Sequence, residues 1–167
     1  MIVDGWWVTP ATVKAVVRRG DELLLGRNDR DEWELPGGRP DQHESSVAEV
    51  VERELAEETG LRLRAGRLLL ADLFEVVPGH RLLVVVLLAD LRDGGAAGYG
   101  GAAGDGGAAG YGGAAGYGGA AGDGGAAGDG GVVRPSTEHK ELAWFRHDDL
   151  PHSLPGIYRR AVLTAFH

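Results

Sequence analysis

The chain has 167 residues, of which 43% are hydrophobic, a net charge of −8 and no cysteine. This composition predicts one soluble domain without disulfides, thiolate catalysis or cysteine-based metal sites, and the acidic balance argues against a nonspecific nucleic-acid partner. The longest apolar run, from Leu82 to Ala89, has eight residues, far fewer than the roughly 20 that span a bilayer, so we predict a cytoplasmic protein with neither a signal peptide nor a membrane anchor.

Three strands are predicted before the first helix. Residues 12–18 are rich in β-branched side chains, turn at 19–22 and return as 23–27, so we expect a hairpin. Residues 33–35 alternate apolar and polar side chains and end at Pro36-Gly37-Gly38. This turn sequence stops the third strand, because proline and glycine interrupt regular structure.

A helix is predicted after a polar loop. Ser46 followed three residues later by Glu49 is a capping-box pattern, so the helix should begin near Val47. Gly60 is a natural stop, since glycine adopts the left-handed conformation that ends many helices.

The inward face of this helix is predicted to change from apolar to acidic. At about 100° per residue, three valines and three glutamates share that face: Val47, Val50, Val51, Glu54, Glu57 and Glu58. Clustered acids near a helix C-terminus repel one another and oppose the helix dipole. A bound hard divalent ion would compensate, because such ions prefer oxygen ligands. The alternative is a solvated acidic face, paired with Arg53.

The second half of the chain adds strands and a final helix. Residues 61–74 are expected to be extended, 81–90 to form a strand buried on both faces, and 141–145 to form another strand. Residues 157–166 carry apolar side chains at helical spacing. This order predicts an α/β fold, with a mixed sheet and helices packed on it.

Residues 94–131 form a low-complexity insert. They are six copies of Gly-Gly-Ala-Ala-Gly-Tyr or Gly-Gly-Ala-Ala-Gly-Asp, closed by two glycines. Such a sequence buries too little to offset an ordering cost of about 1–2 kcal/mol per residue. We predict a flexible loop inserted in a single domain of residues 1–167; the alternatives are an extended glycine-rich packing and an interaction segment.

The segment from Gly38 to Leu61 resembles the Nudix box. That pattern is Gly, five residues, Glu, seven residues, then Arg-Glu-aliphatic-any-Glu-Glu-any-Gly-aliphatic. The second half matches at every position from Arg53 onward. Eight residues, rather than seven, separate Glu44 from Arg53. Either Glu44 or Ser45 therefore fills the position of the first glutamate.

The resemblance extends over residues 12–93 and 132–150. It implies the Nudix fold, a mixed β-sheet sandwiched between helices. It also implies a metal-dependent hydrolase that cleaves a diphosphate bond in a nucleoside diphosphate linked to another moiety. The cofactor would be Mg²⁺, or Mn²⁺ in its place. The alternative function is a catalytically silent Nudix domain acting as a nucleotide-binding or sensor module, which the extra residue favours.

The resemblance also implies roles for individual residues. The metal ligands would be Glu54, Glu57, Glu58 and the backbone carbonyl of Gly38. Arg53 would orient the helix acids rather than take part in the chemistry.

The general base has several candidates. It would be a box glutamate, either Glu54 or Glu57, or an acid from a later segment, Glu138 or Glu141. Each of the later two has the alternative of a surface acid where a strand begins.

The expected partner is a small-molecule nucleotide. Arg27 and Arg39 are candidates to hold its phosphates and Trp33 to stack on its base; the alternatives are solvated bases and core packing. The Trp6-Trp7 pair would cover the sheet edge or contact a second copy in a homodimer. His43, His80, His139 and His147 show no ligand spacing, so no role is assigned to them.

Overall fold

The computed structural model describes residues 2–91, 133 and 139–167. The predicted 94–131 insert and Glu138 lie outside these described residues. In chain order the elements are β1 (Ile2–Val3), β2 (Trp6–Trp7), β3 (Ala11–Arg19), β4 (Glu22–Arg27), β5 (Trp33–Glu34), β6 (Gly37–Gly38), α1 (Val47–Thr59), β7 (Leu68–Val77), β8 (His80–Asp90), β9 (Glu141–Arg146) and α2 (Gly156–Phe166).

Seven of the strands form one mixed sheet. Its central path is β5-β4-β3-β8-β7, with β6 added to β3 and β9 added to β4. β3 and β8 run parallel, from the pair Ala11↔Leu83 to Arg18↔Asp90, and the other pairs are antiparallel. β1 and β2 form a separate two-stranded sheet. The predicted hairpin is confirmed as β3 and β4.

The two helices cover opposite faces of the sheet. Alternate residues of β3 point to opposite sides: Val16 packs with α2, whereas Val13 and Val17 pack with α1. The same alternation along β8 makes this strand buried on both sides, as its continuous aliphatic run predicts. The predicted α/β class and the sheet between helices are therefore confirmed.

The predicted bounds of α1 are confirmed, but its capping box is one-sided. The Ser46 hydroxyl accepts a hydrogen bond from the Glu49 amide at 3.2 Å, and Gly60 ends the helix with φ 75°. The Glu49 carboxylate accepts from the Ser45 amide at 2.7 Å instead of returning to Ser46. In a full capping box the Glu49 carboxylate would accept from the amide of the cap residue, Ser46; here the Ser45 amide takes that place.

Three expectations need correction. Val47, in the first turn of α1, is 42% exposed, and Glu57 is also exposed. The buried stripe runs through Glu54, Leu55 and Glu58 instead. Because the buried face of α1 is centred on these residues, Glu57 lies at its edge. The third correction is that residues 61–67 lack regular structure and the strand begins only at residue 68.

Within the described residues, no helix has the length and hydropathy needed to cross a membrane.

Candidate active site

A cleft of about 790 Å³ lies between the Pro-Gly-Gly turn, strand β3 and the C-terminal half of α1. Its walls combine backbone, acids and bases, which suits a ligand carrying several charges bound together with a cation. The lining residues are Thr12, Lys14, Gly37, Gly38, Arg39, Pro40, Asp41, Arg53, Glu54 and Glu57.

The Pro-Gly-Gly turn is fastened to the centre of the sheet. Gly37 and Gly38 pair with Lys14 and Val13 of β3. Gly37 has φ +126°, and a Cβ there would stand 2.3 Å from the carbonyl oxygen of Val13. Only glycine permits both this backbone conformation and this approach. The turn therefore presents its backbone to the cleft at a fixed place.

Gly37→Ala should lower the free energy of unfolding by about 3 kcal/mol, because strain at positive φ adds to overpacking against β3. Urea unfolding followed by circular dichroism measures this change. Gly156→Ala is the matched control: Gly156 has open space for a Cβ, so we expect a change below about 1 kcal/mol. Equal stability of Gly37→Ala and the wild type would contradict the fixed turn.

The acidic end of α1 faces this turn. Glu54 is 8% exposed, and its Oε1 lies 2.2 Å from the position that a Cβ on Gly38 would take. Glu57 is more open, with 60% of its side chain exposed. The two carboxylates therefore line one wall of the cleft, with the Gly38 backbone opposite Glu54.

Arg53 connects these acids to the loop before the helix. Its guanidinium donates to Glu44 Oε1 at 2.8 Å, lies 2.9 Å from Glu54 Oε1 and donates to Glu57 Oε2 at 3.0 Å. These carboxylates, Glu44 foremost, hold the pKa of Arg53 above its ordinary value. Glu44 thus contacts Arg53 despite the extra residue between them.

Arg53→Lys should lower kcat by about 10-fold or more, since an ammonium cannot reproduce a planar fork that contacts three carboxylates. Steady-state kinetics with a compound that the wild type hydrolyses tests this. Arg64→Lys is a matched control, because among the residues that the structure describes Arg64 pairs only with Glu52, at the surface. Full activity of Arg53→Lys would show that the fork is dispensable.

Glu58 points behind the turn rather than into the cleft. Its Oε2 accepts a hydrogen bond from the Gly37 amide at 2.6 Å, and its side chain is 4% exposed. Burial raises the pKa of this carboxyl to about 7, although Lys14 and the Gly37 amide oppose the rise. Glu58 therefore contacts the same turn as Glu54, from its buried side.

Comparison with known proteins identifies the family. The profile of the NUDIX domain matches residues 8–98, more than half of the chain. The chain belongs to the NUDIX family of hydrolases. The resemblance drawn from the box is thus confirmed, and no curated protein gave a significant match.

Solved structures show the same fold at low sequence identity. A MutT NUDIX hydrolase from Burkholderia pseudomallei is 23% identical, with a TM-score of 0.62, and the match covers 95% of this chain and 98% of that one. A MutT protein from Methanosarcina mazei Go1 is 21% identical, with a TM-score of 0.63 and coverages of 95% and 93%. An ADP-ribose pyrophosphatase from Streptococcus suis is 20% identical, with a TM-score of 0.57 and coverages of 95% and 88%.

NUDIX hydrolases generally use divalent metal ions, and the cleft offers suitable donors. Glu54, Glu57 and the Gly38 backbone provide oxygen atoms, the ligand type that hard cations require. Within the part of the chain that the structure describes, no three acidic or imidazole side chains are close enough to hold a metal by themselves. A metal site in this cleft would therefore need the Gly38 carbonyl as a ligand beside the carboxylates. This carbonyl also accepts a hydrogen bond from Thr12 Oγ1 at 3.2 Å.

The candidate substrate residues separate into two places. Arg39 lines the cleft. Arg27 lies outside it, 3.6 Å from Glu141 on the neighbouring strand β9, and Trp33 packs edge-on against Phe145 with ring centroids 4.8 Å apart. Glu141 is held at the sheet surface by the same pairing. Glu138, the other late candidate for the base, lies outside the described residues.

Sequence reasoning missed two buried polar residues beside the site. Lys14 lies in an apolar strand yet is 7% exposed, and its Nζ donates to the Gly37 carbonyl at 2.6 Å. His139, to which no role was assigned, is 3% exposed and faces Glu34 and Glu58. A lone lysine within a β-branched run was the available signal. No spacing in the sequence marked His139, because its partners come from distant segments.

Proposed function

We propose that this protein is a pyrophosphohydrolase that cleaves a diphosphate bond in a nucleoside diphosphate linked to another moiety. The observation that carries the proposal is the acidic wall of Glu54 and Glu57 facing the fixed Gly37-Gly38 turn, with Lys14 and Arg39 in the same cleft. The acidic side chains suit a bound cation, and the basic side chains beside them suit phosphate oxygens. Together they complement the charges of a diphosphate bound with a metal ion.

We assign metal binding to the carboxylates of Glu54 and Glu57 and to the Gly38 carbonyl. Glu58, the third predicted ligand, instead supports the Gly37-Gly38 turn from its buried side. Mg²⁺ is the proposed ion, with Mn²⁺ as a substitute. When bound, the metal would supply charge neutralisation and an activated water.

The chain's own residues perform the remaining tasks. Arg53 keeps Glu54 and Glu57 at one wall of the cleft through its contacts of 2.9 and 3.0 Å. Arg39 attracts the phosphate oxygens and helps to orient the scissile bond across the cleft. Lys14 fixes the turn at the same cleft by donating to the Gly37 carbonyl. Either Glu54 or Glu57 would accept the proton of the attacking water; Glu138 is the alternative base.

The contact between Glu44 and Arg53 bears on the second candidate function, a silent binding module. The extra residue was the feature that favoured this alternative, because it could have broken that contact. The 2.8 Å ion pair removes this argument. We therefore place hydrolysis ahead of binding alone.

The test is a hydrolysis panel with nucleoside triphosphates, nucleotide sugars, ADP-ribose and dinucleoside polyphosphates. Released phosphate and nucleotide are measured with Mg²⁺, with Mn²⁺ and with excess EDTA. We expect turnover of at least one compound, lost with EDTA and restored by the metal. Binding without turnover would favour the sensor, and turnover that resists EDTA would contradict the proposed metal dependence.

A further inference from the structure

Four ionisable side chains from separate parts of the chain meet behind the Pro-Gly-Gly turn. His139 Nε2 lies 3.4 Å from Glu34 Oε1, and His139 Nδ1 lies 3.7 Å from Glu58 Oε1. Lys14 Nζ lies 3.6 Å from Glu34 Oε2. Lys14, Glu34, Glu58 and His139 are called the buried charge cluster below. In this cluster, one imidazole separates two carboxylates that belong to β5 and α1.

The imidazole of His139 is tightly confined. Its side chain is 1% exposed, and a Cβ added to Gly26 on strand β4 would lie 2.3 Å from its Cδ2. Glycine at position 26 therefore makes room for the ring. The backbone that follows is also tied to the sheet, since the Lys140 amide donates to the Arg27 carbonyl at 2.9 Å.

The surroundings of this ring are unusual for a residue that only fills space. Both ring nitrogens are buried without a hydrogen-bond partner among the described residues, and each faces a carboxylate. Buried ionic clusters are seldom more stable than well-packed apolar side chains of similar volume. Buried polar atoms left in this state call for a functional reason.

The geometry around Glu58 supplies that reason. One carboxylate oxygen accepts from the Gly37 amide at 2.6 Å, and the other faces His139 Nδ1. The carboxylate is therefore hydrogen-bonded to the turn through Oε2 and faces the imidazole through Oε1, at an ion-pair distance of 3.7 Å. Without the ring, Oε1 of Glu58 would lose the polar group that it faces.

We propose that His139 is a positioning residue of the hydrolase, which keeps the Glu58 carboxylate against the Gly37 amide and thereby preorganises the Gly37-Gly38 turn, whose Gly38 carbonyl faces the divalent ion. The inference rests on the proposed function, because the turn that Glu58 holds through the Gly37 amide carries the Gly38 carbonyl, a proposed metal ligand. His139 itself touches neither the metal nor the substrate. Partners of this kind orient ligands, and their loss typically lowers metal affinity by about 10- to 100-fold.

Two substitutions separate positioning from packing. His139→Asn keeps a nitrogen near the place of Nδ1, which faces Glu58, whereas His139→Gln keeps one near Nε2, which faces Glu34. Lys140→Ala is the control, because Lys140 is the next residue and its Nζ donates to the surface segment at Asp29 and Asp31, away from the buried charge cluster. Mn²⁺ affinity is measured on each metal-free protein by electron paramagnetic resonance, with thermal unfolding measured in parallel.

We expect His139→Gln to weaken Mn²⁺ binding by about 10-fold or more, and His139→Asn and Lys140→Ala to stay within about threefold of the wild type. With a compound that the wild type hydrolyses in the panel, His139→Gln should lower kcat with little change in KM. Equal affinity in all variants, or equal losses in Asn and Gln, would overturn the positioning role. Failure of the wild type to bind Mn²⁺ would instead overturn the proposed function itself.

A measurement on the unmodified protein covers the case in which a variant does not fold. The ¹⁵N shifts of the histidine rings are followed by NMR during addition of Mg²⁺. We expect the Nδ1 resonance of His139 to move and to saturate with metal binding, while the ring of the surface residue His147 stays unchanged. A His139 ring that does not respond to bound Mg²⁺ would overturn the inference.

Discussion

Glu57→Gln should lower kcat by at least about 100-fold while leaving the fold intact, because it removes one negative charge from the cleft wall where the metal is proposed to bind. The Glu57 side chain is 60% exposed, and within the described parts of the chain its ion pair is with Arg53 alone. Exposed pairs of this kind contribute less than about 1 kcal/mol. We therefore expect a large loss of kcat with little change in the free energy of unfolding. Hydrolysis assays and urea unfolding of the same preparation measure the two quantities.

Glu52→Gln is the matched control for this prediction. Glu52 lies on the same helix, but its carboxylate contacts Arg64 and the Ala65 amide instead of the cleft. We expect its kcat to remain within about twofold of the wild type, since the change lies outside the site. Normal hydrolysis by Glu57→Gln would refute the metal assignment of that residue.

Lys14→Met should reduce the free energy of unfolding by about 3–5 kcal/mol, the range expected when one partner of a buried ionic group is removed. The substitution keeps an unbranched apolar stem, one heavy atom shorter, but leaves the Gly37 carbonyl without the donor that lies at 2.6 Å. It also leaves Glu34 and Glu58 with less compensation for their charge. Urea unfolding measures the loss.

The Lys14→Met prediction has an internal check. Adding Glu34→Gln should recover at least about 1 kcal/mol, because the two residues interact and their effects are not additive. Lys140→Ala should change stability by less than about 1 kcal/mol as a surface control. A Lys14→Met protein as stable as the wild type would show that the buried ammonium does not compensate the carboxylates.

Local signals in the sequence were enough to predict most of the fold. The Ser46 cap and the Gly60 stop delimit α1, and they depend only on residues within one or two turns. The alternation of apolar side chains along β3 and the continuous run along β8 likewise report burial on the two faces of a sheet. Strand order could not be read in this way, because pairing between β3 and β8 joins segments some 70 residues apart.

The acids of the site were predicted as a group, but not their individual surroundings. Helical spacing placed Glu54, Glu57 and Glu58 on one face, whereas the structure points Glu57 into the cleft and Glu58 behind the turn. A helical wheel assigns a direction to each residue but cannot show where the neighbouring turn lies. Lys14 and His139 were missed for the same reason, since their partners are defined only by tertiary contacts.

The proposed hydrolysis depends on a divalent ion bound between the acidic wall of α1 and the Gly38 carbonyl. Anomalous diffraction from crystals soaked in Mn²⁺ tests this binding most directly. We predict a peak in the cleft within about 2.0–2.4 Å of a carboxylate oxygen of Glu54 or Glu57 and of the Gly38 carbonyl. A cleft without such a peak, together with Mn²⁺ bound elsewhere on the protein, would contradict it.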